Sequence, residues 1–307
     1  MNNLKYMIYA LAAMLLVSVS CSKESDYTPG AAESTDCYDV YFPEMAATTF
    51  EFAPEDTKTI EVTVKRSKLD GALTVPLDLT TTPEAPFTVT DAVFEDGQGE
   101  TTVTVTVPET AETGLSYKVE VGVSDPKYAL VYGLNPTNAG FTAMVVKWNA
   151  IEGAVYQDEL WTYTIGALGM SPANPYATKT FTIYERDDKP GYYKVVNLYT
   201  DEYLAEILGT SISGIYAYES EMYIDATNPN KVWFDYSEVG LNLAQYGGCI
   251  IALDVPEVFG ADSYVMYGVM SENGVIRFPD QSIYLGYANL GKLAWIGANT
   301  AFMIPQN

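Results

Sequence analysis

Residues 59–79 read TIEVTVKRSKLDGALTVPLDL, and their period decides the fold. Ile60, Val62 and Val64 alternate with Glu61 and Thr63. After the turn cluster Lys68-Leu69-Asp70-Gly71, Leu73, Val75, Leu77 and Leu79 alternate with Thr74, Pro76 and Asp78. A period of two places one set of side chains in a core and the other in water. The same pattern returns in TTVTVTV (101–107) through Val103, Val105 and Val107. It returns again in YKVEVGV (117–123) through Tyr117, Val119, Val121 and Val123. Turn-rich EDGQGE (95–100) separates two of these runs. Short strands at this spacing predict a β-sandwich over residues 38–148.

From KWNAIEGAVYQDEL (147–160) onward the Val/Thr alternation yields to a segment dense in Tyr, Gly and Asn. Strands are expected in KTFTIYE (179–185), YYKVVNLY (192–199), KVWFDY (231–236), CIIALDV (249–255), VIRFP (275–279) and AWIGA (294–298). TDEYLAEIL (200–208) reads as a helix, with Thr200 or Asp201 as its cap, acids in the first turn and Gly209 as its stop. The expected fold class is therefore mainly β. A sandwich is followed by a second β-rich domain over 149–307, sandwich or barrel-like, with at most short helices.

Two resemblances follow from these runs. FEFAPEDTKTIEVTVKRSKLDGALTVPLDL (50–79), AVFEDGQGETTVTVTVP (92–108) and YKVEVGV (117–123) together resemble a Calx-beta-type, immunoglobulin-like sandwich. That family implies calcium held by acids in inter-strand loops. Here PETAETGLSY (108–117) stands where an acid-rich loop would be expected. Asp91, Glu95, Asp96 and Glu100 could offer oxygens, but no D-x-[DN]-x-[DN]-G loop is present, and a solvated hairpin is preferred to a calcium site. GYYKVVNLY (191–199), YIDATNPNKVWF (223–234) and GVIRFPD (274–280) resemble C-terminal domains of Bacteroidota surface lipoproteins.

The first residues bear on location. Lys5 precedes an apolar run from Ile8 to Val17, and Ser18, Val19 and Ser20 lead to Cys21. The run is shorter than the roughly 20 residues of a membrane span, so residues 1–20 read as a cleaved signal peptide. The junction resembles a lipoprotein lipobox, although Ser18 stands where an aliphatic residue is commoner. Cys21 is then the lipidated N-terminus, and two or more acyl chains give stable anchoring. An ordinary secretory signal with an incidental Cys21 is the alternative. Ser22-Lys23-Glu24-Ser25-Asp26 resembles the acidic export tag of Bacteroidota surface lipoproteins, and residues 21–37 read as a flexible tether. The expected address is the outer membrane, lipid-anchored and facing outward.

Composition narrows the chemistry. A formal charge of -24 excludes nucleic acid as a natural partner, since a polyanion would be repelled. The chain contains no histidine. That removes Ser-His-Asp and Cys-His nucleophiles, His-ligated metals and imidazole shuttles. Neither G-x-x-x-x-G-K-[ST] nor G-x-G-x-x-G occurs. No cofactor is expected. Cys37 and Cys249 read as unpaired, Cys249 as a small core residue.

Aromatic residues set beside polar ones in the C-terminal half suit carbohydrate. A ring can stack on the C–H face of a sugar while a neighbouring carboxylate or amide bonds its hydroxyls. Trp233 with Asp235 is the preferred ligand-binding pair, followed by Trp161 with Tyr163. The competing reading is packing, since buried aromatics build β cores. Alternation places Val232, Phe234 and Tyr236 on one face and Trp233 with Asp235 on the other. The leading expectation is non-catalytic capture of extracellular polysaccharide, beside an outer-membrane protein partner such as a transporter. A structural or adhesive protein that binds another protein is the alternative. A glycosidase built on carboxyl pairs such as Glu219/Glu221, Asp187/Asp188 or Asp158/Glu159 ranks below both, because no motif selects a pair.

Overall fold

The computed structural model describes residues 37–123, 125, 127–129 and 135–306. The leader, Cys21 and nearly all of the tether lie outside the described residues. The molecule is mainly β, and its helices are short.

The period-two runs become the first pair of sheets, except that the run 73–79 breaks at Pro76 and its first half, Leu73–Val75, pairs with Ala92–Phe94 in a separate two-stranded sheet. One orders strands Val40–Tyr41, Thr59–Arg66, Glu100–Thr106 and Thr88–Val89; the other orders Thr49–Phe52, Asn138–Val145, Ser116–Gly122 and Asp78–Thr82. Register matches apolar to apolar, with Ile60 opposite Val105, Val62 opposite Val103 and Val121 opposite Leu79. Ile60, Val62, Val64, Val103 and Val105 are each at most 1% exposed. Burying a side chain of this kind stabilises the fold by about 1.5–3 kcal/mol, so the alternation in residues 59–107 is a direct record of the core. Residues of this core run from Val40 to Val145.

A second core runs from Ala154 to Ile304. A seven-stranded sheet orders Glu221–Asp225, Tyr192–Val196, Thr178–Arg186, Trp148–Gln157, Ala301–Met303, Val275–Arg277 and Val269–Met270. A five-stranded sheet orders Ile215–Ala217, Ser237–Leu243, Gly247–Leu253, Ile283–Tyr287 and Gly291–Ile296. Both sheets contribute to the one core, together with helices Leu160–Ala167 (α1) and Asp201–Leu208 (α2). Helix α2 forms as its sequence predicts. The Thr200 side chain accepts from the Tyr203 amide, Asp201 and Glu202 occupy the first turn, and Gly209 closes the helix at φ 83°. Cys37 and Cys249 are both buried and unpaired, and burial pushes the Cys249 thiol well above its usual pKa.

Three expectations need correction. Residues 231–236 form no regular strand: Val232 and Trp233 make isolated bridges to Gly268 and Asp225. Tyr236 leaves the core face assigned to it and is 53% exposed, because extended pairing has ended by Phe234. Trp161 is 0% exposed and sits on α1, a helix absent from the sequence reading. Its indole N–H donates to the Leu204 carbonyl at 3.1 Å, so the ring joins α1 to α2 instead of facing solvent.

The two cores meet through the turn after Arg186. Its guanidinium bonds Asp188 at 2.8 Å, Glu51 at 3.5 Å and the Met144 sulfur at 2.7 Å, the latter two belonging to the first pair of sheets. Gly114 lies against Asp188 so closely that a Cβ there would collide with its side chain.

Candidate functional site

The outward face of the seven-stranded sheet follows from alternation. In EMYID (221–225), Met222 and Ile224 are buried, which turns Glu221, Tyr223 and Asp225 outward. In YYKVV (192–196), Tyr193 and Val195 are buried and Tyr192 and Lys194 face out. Antiparallel pairing sets Tyr192 opposite Asp225 and Lys194 opposite Tyr223. The Tyr192 and Tyr223 rings stack at 6.1 Å with planes 15° apart, and Trp148 lies 6.1 and 5.9 Å from them.

Trp233 joins this face through the backbone. Its N–H donates to the Asp225 carbonyl at 3.0 Å, and its carbonyl accepts from the Asp225 N–H at 2.8 Å. Two residues facing each other in such a pair project to the same side of a sheet. Asp235, two positions on, lines the same cleft. The result is a cleft of about 550 Å³ lined by Tyr192, Tyr223, Trp233 and Tyr236, with Lys189, Glu221, Asp225, Asp235, Ser237 and Glu238 as its polar groups. Trp233 and Asp235 thus share one cleft.

The other expected residues lie elsewhere. Tyr163, 42% exposed, is on the outer side of α1 and is absent from this cleft. Trp161 backs a small recess beside α2, yet none of its own surface reaches solvent. In this conformation it has no face to offer a ligand. Tyr223, Tyr236, Glu238 and Lys189 belong to the cleft and were missed by sequence reasoning. The signal for Tyr223 was present in the alternation of 221–225. No local signal places Glu238 or Lys189 beside Trp233, because they arrive on separate strands and turns.

The electrostatics are specific. Four carboxylates (Glu221, Asp225, Asp235, Glu238) line the cleft with one ammonium, Lys189, and a second, Lys194, pairs with Glu221 from the same face at 3.7 Å, for a balance of two negative charges. Lys189 bonds Asp225 at 2.7 Å and sits 3.9 Å from the centre of the Tyr192 ring. Burial pushes the Asp225 carboxyl up, but hydrogen bonds from Lys189 and Thr227 outweigh it and hold the group below its ordinary value. Burial raises Tyr192, with help from Asp225 and Glu51; burial likewise raises Tyr223, together with its 3.0 Å bond to Glu221. Both phenols therefore stay protonated at neutral pH. Glu238 accepts from the Tyr218 hydroxyl at 2.7 Å.

Asp158 and Glu159, one of the carboxyl pairs, serve the fold. Asp158 is 0% exposed and accepts from Tyr199 at 2.5 Å, from the Thr162 amide and hydroxyl at 2.8 Å each, and from the Trp161 amide at 3.2 Å. Glu159 accepts from the amides of Gly297 and Asn299 and from the Thr300 hydroxyl. These carboxylates tie α1 to its surroundings.

In the loops considered for calcium, the Arg66 guanidinium takes the central position. It donates to the carbonyls of Gln98, Leu69, Gly71 and Glu95 at 2.7–3.1 Å. Asp91, Glu95, Asp96 and Glu100 are exposed around it, and Glu100 pairs with Lys65 at 2.8 Å. Among the described residues no group of three or more Cys, Asp or Glu is placed to hold a metal ion.

No protein-family model matches the chain, and no curated protein does. Solved structures from Bacteroides do. A Bacteroides ovatus protein of unknown function is 8% identical, with TM-score 0.27, over 88% of this chain and 95% of that one. A "putative carbohydrate binding protein" of the same species is 12% identical, with TM-score 0.26, over 86% of this chain and 74% of that one. A two-domain protein of unknown function from Bacteroides fragilis is 9% identical, with TM-score 0.28, over 89% of each chain.

Proposed function

We propose that this protein is a non-catalytic, lipid-anchored surface protein that holds a neutral extracellular glycan in the cleft of Trp233. The observation that carries the reading is the convergence of four aromatic side chains, from separate strands and turns, on one acid-lined cleft. Sugar rings present weakly polar C–H faces that stack on such rings, and their hydroxyls both donate and accept. The protonated phenol of Tyr192 supplies a donor, the Tyr223 oxygen (its own hydrogen given to Glu221) can accept, and Asp235 and Glu238 supply further acceptors.

The charge balance selects among glycans. An anionic sugar would enter against an excess of two negative charges, with little gain and a desolvation cost. A cationic ligand meets a different obstacle: the face of Tyr192 is already occupied by the Lys189 ammonium. A neutral chain avoids both penalties. Glu221, Asp225 and Glu238 are engaged in holding neighbouring hydroxyls and amines, and Asp225 is kept ionised, which does not suit it to be a general acid. This supports binding without hydrolysis.

Electrophoresis through gels containing neutral polysaccharides, with an acidic polysaccharide alongside, tests the reading. Retardation is expected in at least one neutral gel and not in the acidic one. Trp233→Ala is expected to weaken it roughly tenfold or more when assayed well below its melting temperature, which should fall because the ring also packs partly against the core. Absence of retardation in every neutral gel, or full retention by Trp233→Ala, overturns the proposal.

A further inference from the structure

A second cleft, of about 440 Å³, opens on the same C-terminal body and is bordered by Asp254, Tyr264, Asp280, Gln281 and Trp295. A continuous line of rings connects it to the first. Tyr236, which lines the Trp233 cleft, lies 6.1 Å from Tyr284, and Tyr284 lies 5.8 Å from Trp295, which lines the second cleft. Phe259 braces this line, 5.4 Å from Tyr236 and 5.8 Å from Trp295. An aromatic path of this kind, flanked by acids at both ends, is not required to bury a core.

The backbone supplies an independent observation. Val265 and Gln281 hold φ of 59° and 58°. A β-branched residue with positive φ is a genuine outlier, and such conformations persist only where the surroundings enforce them. The enforcement is visible. Buried Asp254 accepts from the Tyr264 amide through its carboxylate at 3.0 Å and from the Met266 amide through its carbonyl at 2.8 Å. Its own amide donates to the Ser282 carbonyl at 2.8 Å, next to Gln281. The strained loop thereby displays Tyr264 with 83% of its surface in solvent. An apolar ring presented so fully, at a conformational cost, is poorly explained by packing.

We infer that the two clefts are subsites of one track, and that the ligand is an extended neutral glycan chain running from Trp233 past Tyr236 and Tyr284 to Trp295 and Tyr264. The inference rests on the glycan reading of the first cleft and adds that recognition depends on chain length. A short oligosaccharide fills one cleft; a longer one engages the second without a new loss of translational freedom. Acids on both clefts, Asp235 and Glu238 at one and Asp280 at the other, keep the whole track selective for uncharged sugars.

Calorimetric titration with cello-, manno- and xylo-oligosaccharides, from disaccharide to octasaccharide, tests this. Affinity in one series is expected to rise about tenfold or more once the chain spans both clefts, and Tyr264→Ala and Trp295→Ala are each expected to abolish that rise. Tyr264 is almost wholly exposed, so its variant separates lost binding from lost folding, and melting temperature checks both. Binding that does not vary with length, or a rise that survives Tyr264→Ala, overturns the track and leaves the Trp233 cleft standing. If no series binds the wild-type protein, the track falls together with the glycan reading.

Discussion

Asp158 shows what one buried carboxylate does in a chain so rich in acid. It caps α1, orients the Tyr199 hydroxyl and faces Tyr156, all without contact with water. Burial pushes its carboxyl above the ordinary value, against the downward pull of bonds from Tyr199 and Thr162. The folded chain therefore holds this proton more tightly than the unfolded chain does. The stability this lends is fully present below the ordinary carboxylate pKa and is lost as pH rises through the raised folded value. Wild-type protein is expected to lose stability relative to Asp158→Asn, which cannot titrate, across that window. Urea denaturation at a series of acidic to neutral pH values measures it; a wild-type stability that rises, or stays flat, relative to Asp158→Asn as pH increases would refute the assignment. Sequence reasoning placed Asp158 among solvated or catalytic acids, because a charged residue beside Glu159 carries no local mark of burial. Arg66 makes the same point with opposite sign, its side chain closing the loops from which a cation site was considered.

At the scale of elements, agreement follows the strength of the local code. Helix α2 declares both its ends in sequence, through Thr200 and Gly209, and forms between them. Replacing Thr200 by Ala removes the acceptor for the Tyr203 amide and is expected to cost about 1 kcal/mol. Thr200→Ser should cost much less; equal losses in urea denaturation would mean that the cap bond contributes nothing. Helix α1 carries no such marks. Its residues Leu160–Ala167 include two aromatics and β-branched Thr162, Thr164 and Ile165, types suited to strands, and Leu160, Trp161, Thr162, Thr164 and Ile165 are all buried. A helix buried around most of its circumference shows no amphipathic period, so tertiary packing alone selects it. The segment 231–236 errs in the other direction. It alternates as a strand does, yet pairs only at Val232 and Trp233, and its loose end frees Tyr236 for the cleft.

For the whole molecule, the Arg186 turn and Gly114 set the cleft's sheet against the first pair of sheets, and Glu51 there reaches far enough to help raise Tyr192 and Tyr223. The proposed surface address is tested on the whole chain. Mass spectrometry of the protein extracted from membranes is expected to find chains beginning at Cys21 with its thiol and amine acylated. An unacylated chain, or one that keeps residues 1–20, would remove the anchor and with it the proposed address. The sequence by itself determined the period-two strands, the β-rich second half and α2 with its caps, because each is written in neighbours a few residues apart. Only the tertiary structure decided that Trp161 is core and that Trp233 faces a cleft. Alternation separates two faces of a strand but does not say which one meets water. The cleft itself exists only once Trp233 pairs with Asp225 and brings Tyr192, Tyr223 and Glu238 from other parts of the chain to its side.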